Sequence, residues 1–347
     1  MPQILDQDCR TAPDSPLVVE VTRGAMVESR HRACYAVCDS AGRVVLSGGD
    51  FERPIYGRSA IKPLQAIPLL ESGAAARWSL GSAEIAAACA SHGGEPRHVR
   101  TVGDWLGRLG LSEADLECGA HLPLHEPSAR ALLRSGGAPT QLHNNCSGKH
   151  SGFLSTALHL GHPTKGYVRY EHPVQQRILG VLESFCGLDL SRAPRGIDGC
   201  GIPVIGIPLG NLALAMARFA DPHDQPEARQ AAVARIAAAM AEEPFMVAGS
   251  GRFCTAVMAA TAGRALIKTG AEGVYCGALP GLGLGIALKV DDGASRAAEV
   301  LMAQLLYRLE VLDEATLAKL PEALDVPLKN RAGRLVGHVR KAEGCCL

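Results

Sequence analysis

Apolar and polar residues partly alternate over Leu17–Ser29 (LVVEVTRGAMVES), where valines recur, and that period of two predicts a strand. Cys34–Asp39, the polar turn at Ser40–Arg43 and Val44–Leu46 predict a hairpin. Ser82–Ser91 (SAEIAAACAS) opens on Ser-x-Glu and runs into alanine, which predicts a helix. Pro96–Leu109 and Ser112–Gly119 are predicted as further helical pieces. Pro173–Phe185 places Ile178, Val181, Leu182 and Phe185 on one face of an amphipathic helix, and Ala228–Ala241 is strongly helical. Beyond Pro244 the pattern changes: Ala256–Gly263, Ala265–Thr269 and Val274–Leu279 are short and interrupted by glycine. Leu282–Val290 then predicts a strand and Ala298–Leu309 a helix.

Strands at both ends with helices between predict an α/β chain of the α+β type. Residues 16–60 with 245–340 would build one sheet, and residues 61–244 an inserted, mainly helical region. With no repeat or low-complexity tract, the two subregions are expected to form a single compact unit across 1–347.

Composition narrows the partners. Of 347 residues, 47% are hydrophobic and only 4% aromatic, so the core must rest on Ala, Leu, Val and Ile. Lys+Arg and Asp+Glu balance at 35 each, which gives no basic footprint for nucleic acid and no polybasic membrane face. A small, roughly neutral ligand fits better. No apolar run reaches bilayer-spanning length, and Asp6 and Asp8 stand where a leader would need basic and then apolar residues. A cytoplasmic protein is expected. Its twelve cysteines should then be thiols, with Cys34, Cys38, Cys89 and Cys276 as small core fillers.

Two constellations carry chemistry. The first is Ser59-Ala-Ile-Lys62 within YGRSAIKPLQ. Spacing of three puts hydroxyl and amine on one helical face. Pro63 cannot serve the carbonyl four residues back, so Ser59 should sit at the helix start, among free N–H groups suited to an anionic intermediate. Lys62 can deprotonate a serine only when neutral. At an ordinary amine pKa roughly 0.04% is neutral at pH 7, and a pKa near ~8 would raise that to about 10%. The motif taken alone is also met by a capping serine beside a solvated lysine.

The second lies in HNNCSGKHSG (143–152) and GIDGCGIP (196–203). Cys146 and Cys200 in glycine-rich polar loops are poor packing residues, and two thiolates with one or two nitrogens would make a tetrahedral zinc site. His143 and His150 are the ordinary nitrogen donors; Lys149 would be an unusual one. Ser91-His92-Gly93-Gly94 reads as a helix end, Lys268 as an exposed residue at a strand end, and VAGSGRFCT (247–255) lacks the order of a phosphate loop.

Taken in order, VTRGAMVESRH, SGGD, YGRSAIKPLQ, ASHGGEP, HNNCSGKHSGFL, GIDGCGIP, VAGSGRF and KTGAEGVY resemble the bacterial L-asparaginase II, or rhizobial-type, family from about Val18 to Gly337. The resemblance implies a fold similar to serine β-lactamases and penicillin-binding proteins, a homodimer, and hydrolysis of L-asparagine to aspartate and ammonia. It implies a nucleophilic centre at Ser59, Lys62, Ser91 and Lys268. It also implies zinc on Cys146, Lys149 and Cys200 with Asp198 nearby, so Lys149 displaces His143 and His150. Arg58, His92, Asp198 and Gly251, within the same stretches, are expected to line the substrate. The metal is expected to position substrate rather than generate hydroxide. Two other readings stay open. Lys268-Thr269-Gly270 would suit a penicillin-interacting serine hydrolase, although no S-D-N element is present. The thiol set would equally suit a non-catalytic zinc or amino-acid binder.

Overall fold

The computed structural model describes residues 14–347; Asp6 and Asp8, on which the reading of the N-terminus rests, lie outside the described residues. The strands are β1 (Leu17–Arg23), β2 (Met26–Asp39), β3 (Val44–Gly48), β4 (Pro54–Tyr56), β5 (Arg195–Ile197), β6 (Pro203–Pro208), β7 (Leu266–Thr269), β8 (Val274–Leu279), β9 (Leu284–Val290), β10 (Asp325–Lys329) and β11 (Leu335–Lys341). The larger sheet runs β10-β11-β1-β2-β9-β8-β7, with β3 paired to β2. Its strand pairs are antiparallel. The N-terminal hairpins therefore sit between two groups of C-terminal strands, and the sheet is assembled from both ends of the chain.

The middle strands are buried along almost their whole length, so both faces must be covered. Close contacts show by what. Gly285 on β9 faces the backbone of helix Leu209–Ala220, while Gly277, which pairs with the next residue Ile286, faces Met302 of helix Ser295–Arg308. Adjacent strand residues point to opposite faces, so these two helices sandwich the sheet. Beside it stands a helical cluster centred on Ser82–Ala88, which touches helices Pro96–Arg108, Ser147–His159, Glu227–Glu242 and Pro244–Ala248.

Several expectations need correcting. Leu17–Ser29 is not one strand: a turn with Gly24 at φ +57° breaks it into β1 and the start of β2. Ser112–Gly119 forms only a 3-10 turn at Glu113–Asp115, where Asp115 bonds back to Ser112 instead of continuing the helix. Ala256–Gly263, which its sequence marks only as short and interrupted by glycine, falls mostly within helix Phe253–Ala260. The small sheet β4-β6-β5 was missed, because its strands are short and rich in proline and glycine. The amphipathic stripe of Ile178, Val181, Leu182 and Phe185 is buried in helix Pro173–Cys186 as expected.

Candidate active site

Ser59 sits in a 3-10 turn, Arg58–Ile61, that leads directly into helix Lys62–Gln65 with Pro63 in its first turn. The proline thus fixes the helix start where the sequence places it. Arg58 has φ +48°, an uncommon conformation for a residue with a side chain, costing about 1–3 kcal/mol. Gly270, just past the end of β7, lies against Gly57 O and Ala60 N, so the Lys268-Thr269-Gly270 strand end abuts the Ser59 turn.

Ser91 lies three residues beyond helix Ser82–Ala88 and is 5% exposed. Its Oγ accepts from Lys62 Nζ at 3.0 Å and from Lys268 Nζ at 2.8 Å. Lys62 also donates to Ala90 O, and Lys268 to Thr269 O at 2.8 Å. Both lysines are fully buried. This overturns the reading of Lys268 as an exposed strand-end residue: β7 is an edge strand, but the helical cluster covers it. Burial, followed by the charge of Lys62, pushes the Lys268 amine down to about 7. Ser59, by contrast, is only partly buried, and among the described residues its hydroxyl makes no hydrogen bond to either amine. The S-x-x-K spacing brings the lysine to Ser91 rather than to its own serine.

The thiol set converges too. HNNCSGKHSG is not a loop throughout: Cys146 begins helix Ser147–His159, and Lys149 lies in its first turn. Gly148 lets that helix approach, since a Cβ there would fall 2.4 Å from Ala87 O. Cys200 is presented by the tight turn Asp198–Gly201, closed by Gly201 N–H to Asp198 O at 2.8 Å. Cys146, Lys149 and Cys200 are buried, and Lys149 Nζ donates to Cys200 Sγ at 3.0 Å. The Cys200 thiol, with Lys62 and Lys149, favours thiolate on Cys146, while Cys146 and burial push the Cys200 thiol up. Burial opposes the charge on Lys149, but the two sulfurs outweigh it and raise its pKa. Lys62 Nζ lies 3.1 Å from Cys146 Sγ, joining the two constellations across 84 positions of sequence. No spacing signal announces such a contact.

Residues 19–341 match the family model for L-asparaginase II. The chain belongs to the L-asparaginase II family. No curated protein matches it. Membership in the L-asparaginase II family implies an amidohydrolase and points to asparagine as the substrate.

The remaining expected residues of this L-asparaginase II family member fall around the two clusters. Arg58 donates to Asp198 Oδ1 through Nη2 at 2.9 Å and Nε at 3.2 Å, tying the Ser59 turn to the Cys200 turn. Burial opposes ionisation of Asp198, yet Lys149 and Arg58 hold its carboxyl below the usual range. His92 has both ring nitrogens engaged: Nδ1 accepts Gly94 N–H at 3.1 Å and Nε2 meets Ser147 Oγ at 2.9 Å. Because Ser147 Oγ donates to Leu142 O, His92 is a neutral donor through Nε2 and shapes the loop. Gly251 lies in an exposed loop whose root is tied to Ser91 by Ser91 N–H to Val247 O at 2.9 Å. His150 Nδ1 faces Tyr167 Oη at 2.8 Å rather than the thiols.

Among the described residues no group of three or more His, Cys, Asp or Glu side chains is placed to hold a metal ion. The buried thiols of Cys146 and Cys200, with the Lys149 amine 3.0 Å from Cys200 Sγ, do form a donor set of the kind a thiophilic cation takes, with Lys149 as the third donor. Every described cysteine is a free thiol.

Proposed function

We propose that this protein is an L-asparaginase that hydrolyses the side-chain amide of L-asparagine through an acyl-enzyme, using Ser59, Ser91, Lys62 and Lys268. The observation that carries the reading is the single buried hydroxyl of Ser91 held by two buried amines, one of which titrates near neutrality. Burial and the charge of the neighbouring Lys62 lower the Lys268 amine, so a base is supplied at neutral pH.

The steps follow. Neutral Lys268 takes the Ser91 proton while Ser91 takes the proton of Ser59, and Ser59 Oγ bonds to the amide carbon. The tetrahedral intermediate collapses as the Lys268 ammonium returns its proton to the amide nitrogen, and ammonia leaves. Water then attacks the ester by the same relay in reverse, releasing aspartate. Partial exposure and the strained residue before it favour Ser59 as the attacking group. Arg58 and Asp198 would meet the α-carboxylate and α-amine of the substrate, and Gly251 would wall it.

Zinc on Cys146, Lys149 and Cys200 would supply a fixed positive centre beside the substrate. The residues around it bind and orient; the nucleophile and base remain serine and lysine. The homodimer and the cytoplasmic setting are carried over with this reading, and the free state of the described cysteines suits the latter. The antiparallel sheet, with its KTG edge abutting the S-x-x-K turn, supports a serine β-lactamase-like scaffold.

A coupled assay of ammonia release from asparagine and glutamine, with and without chelator, tests the activity; no release from either sinks it. Nitrocefin turnover would instead favour the penicillin-interacting reading. A second assignment exchanges the serines, favoured by the contact of Ser91 alone with both amines. Ser59→Ala and Ser91→Ala, each followed by mass spectrometry of trapped acyl-enzyme, decide it: a label surviving in Ser59→Ala gives the nucleophile to Ser91.

A further inference from the structure

Glu95 belongs to neither constellation, yet it is a buried carboxylate four residues from Ser91. It stands just before helix Pro96–Arg108, and its side chain makes no cap hydrogen bond to the first turn. Its hydrogen bonds go elsewhere. Oε1 accepts from Ser250 N–H at 2.8 Å and Oε2 accepts from Ser250 Oγ at 2.8 Å, while His125 Nδ1 lies 3.6 Å away. Both oxygens are thus spent on one exposed loop residue 155 positions away in sequence.

The loop needs such a holder. Gly249 has φ +105° and Gly251 φ +67°, so the backbone on either side of Ser250 has no preference of its own for this shape. Its root is pinned by Ser91 N–H to Val247 O and by Thr255 Oγ1 to Gly249 O at 2.7 Å. Among the described residues its tip is hydrogen-bonded only by Glu95. A Cβ on Gly249 would lie 2.5 Å from Glu95 Oε1, so the carboxylate fills the space that glycine leaves. The backbone of Glu95 is fixed in turn, donating to His98 Nδ1 at 3.2 Å, while His98 Nε2 meets Phe245 O at 3.0 Å.

We propose that Glu95 is a positioning and specificity-determining residue: it latches the Gly249–Gly251 loop at a set distance from Ser91 and so fixes the size of the acid-amide pocket. The proposal rests on the reading of Gly251 as a wall of that pocket. A loosened wall binds asparagine poorly and discriminates less against glutamine, which is longer by one methylene. The chemical step, run by serine and lysine, suffers less.

Glu95→Ala is expected to raise the KM for asparagine by roughly tenfold, with a smaller fall in kcat and a narrowed asparagine-over-glutamine preference. Glu95→Gln, which keeps an acceptor for Ser250 N–H, is expected to recover most of that loss. Hydrogen exchange read by mass spectrometry gives an independent measure: in Glu95→Ala it should quicken across residues 247–253 and stay unchanged across β9. An unchanged KM, unquickened exchange in the loop, or quickening spread through the sheet would each overturn the proposal. If the unsubstituted enzyme releases no ammonia, the asparaginase reading fails on its own, and exchange still decides whether Glu95 holds the loop.

Discussion

Two fully buried lysines stand one contact apart from the same third lysine and titrate in opposite directions. Lys268 shares the Ser91 hydroxyl with Lys62, and its amine falls to about 7. Lys149, which touches Cys200 beside the Cys146 that Lys62 also contacts, is held above its ordinary value. Desolvation is the largest influence on both and acts in the same sense. What separates them is the sign of the neighbour: a second cation across a neutral hydroxyl in one case, sulfur carrying negative charge in the other. Burial alone therefore does not make a lysine a base; the partner decides.

The sharpest break of that contrast is Lys268→Met. Removing a general base costs on the order of 10²–10⁴-fold in rate, and kcat/KM on asparagine should fall within that range while the protein folds normally. Comparable activity in the variant would end the assignment of roles. Lys149→Met should act differently. It removes a donor from the thiol set, so zinc content after dialysis should drop, and the KM should rise about 10–100-fold with a smaller change in kcat. A collapse of kcat with zinc still bound would merge the two lysines into one function.

The pH dependence sharpens the comparison further. If neutral Lys268 is the working base, kcat/KM should climb about tenfold per pH unit below about 7 and level off above it. A profile flat from pH 5 to 8 would show that some other group takes the proton.

Much of this was legible in the sequence, and the failures share a cause. The strand at Leu284–Val290 and the helices at Ser82–Ala88 and Glu227–Glu242 follow from local periodicity and start signals. Pro63 places the Ser59 turn correctly from one local steric rule. Lys268 was misread because burial of an edge-strand residue depends on a helical cluster that no local pattern reports. The pairing of Lys62 with Ser91 instead of Ser59 is likewise tertiary: the partner hydroxyl arrives from 29 positions away in sequence, and no local spacing reports it. Cys146 and Lys149 looked like loop residues because His143–Gly152 is polar, yet the helix from Ser147 buries that polarity against helix Ser82–Ala88. His92 was expected at the substrate, and its two internal bonds could not be foreseen from the stretch ASHGGEP.

The smallest expected effect tests the same physics without any substrate. A lysine whose amine falls to about 7 in the fold but remains near 10.4 in the unfolded chain binds fewer protons when folded across that interval. Stability then rises with pH from about 7 toward 10.4, and below about 7 the fold bears the whole cost of a buried charge. Lys268→Met abolishes that dependence while leaving Lys62 on Ser91. The melting temperature of the variant should exceed that of the parent by a few degrees near pH 6, and the gap should close as pH approaches 10. Taking the difference between the two proteins cancels other groups that titrate in the same interval, provided they lie away from the site. A gap of constant size would mean that the methionine merely packs better, and that Lys268 carries no displaced proton equilibrium at all.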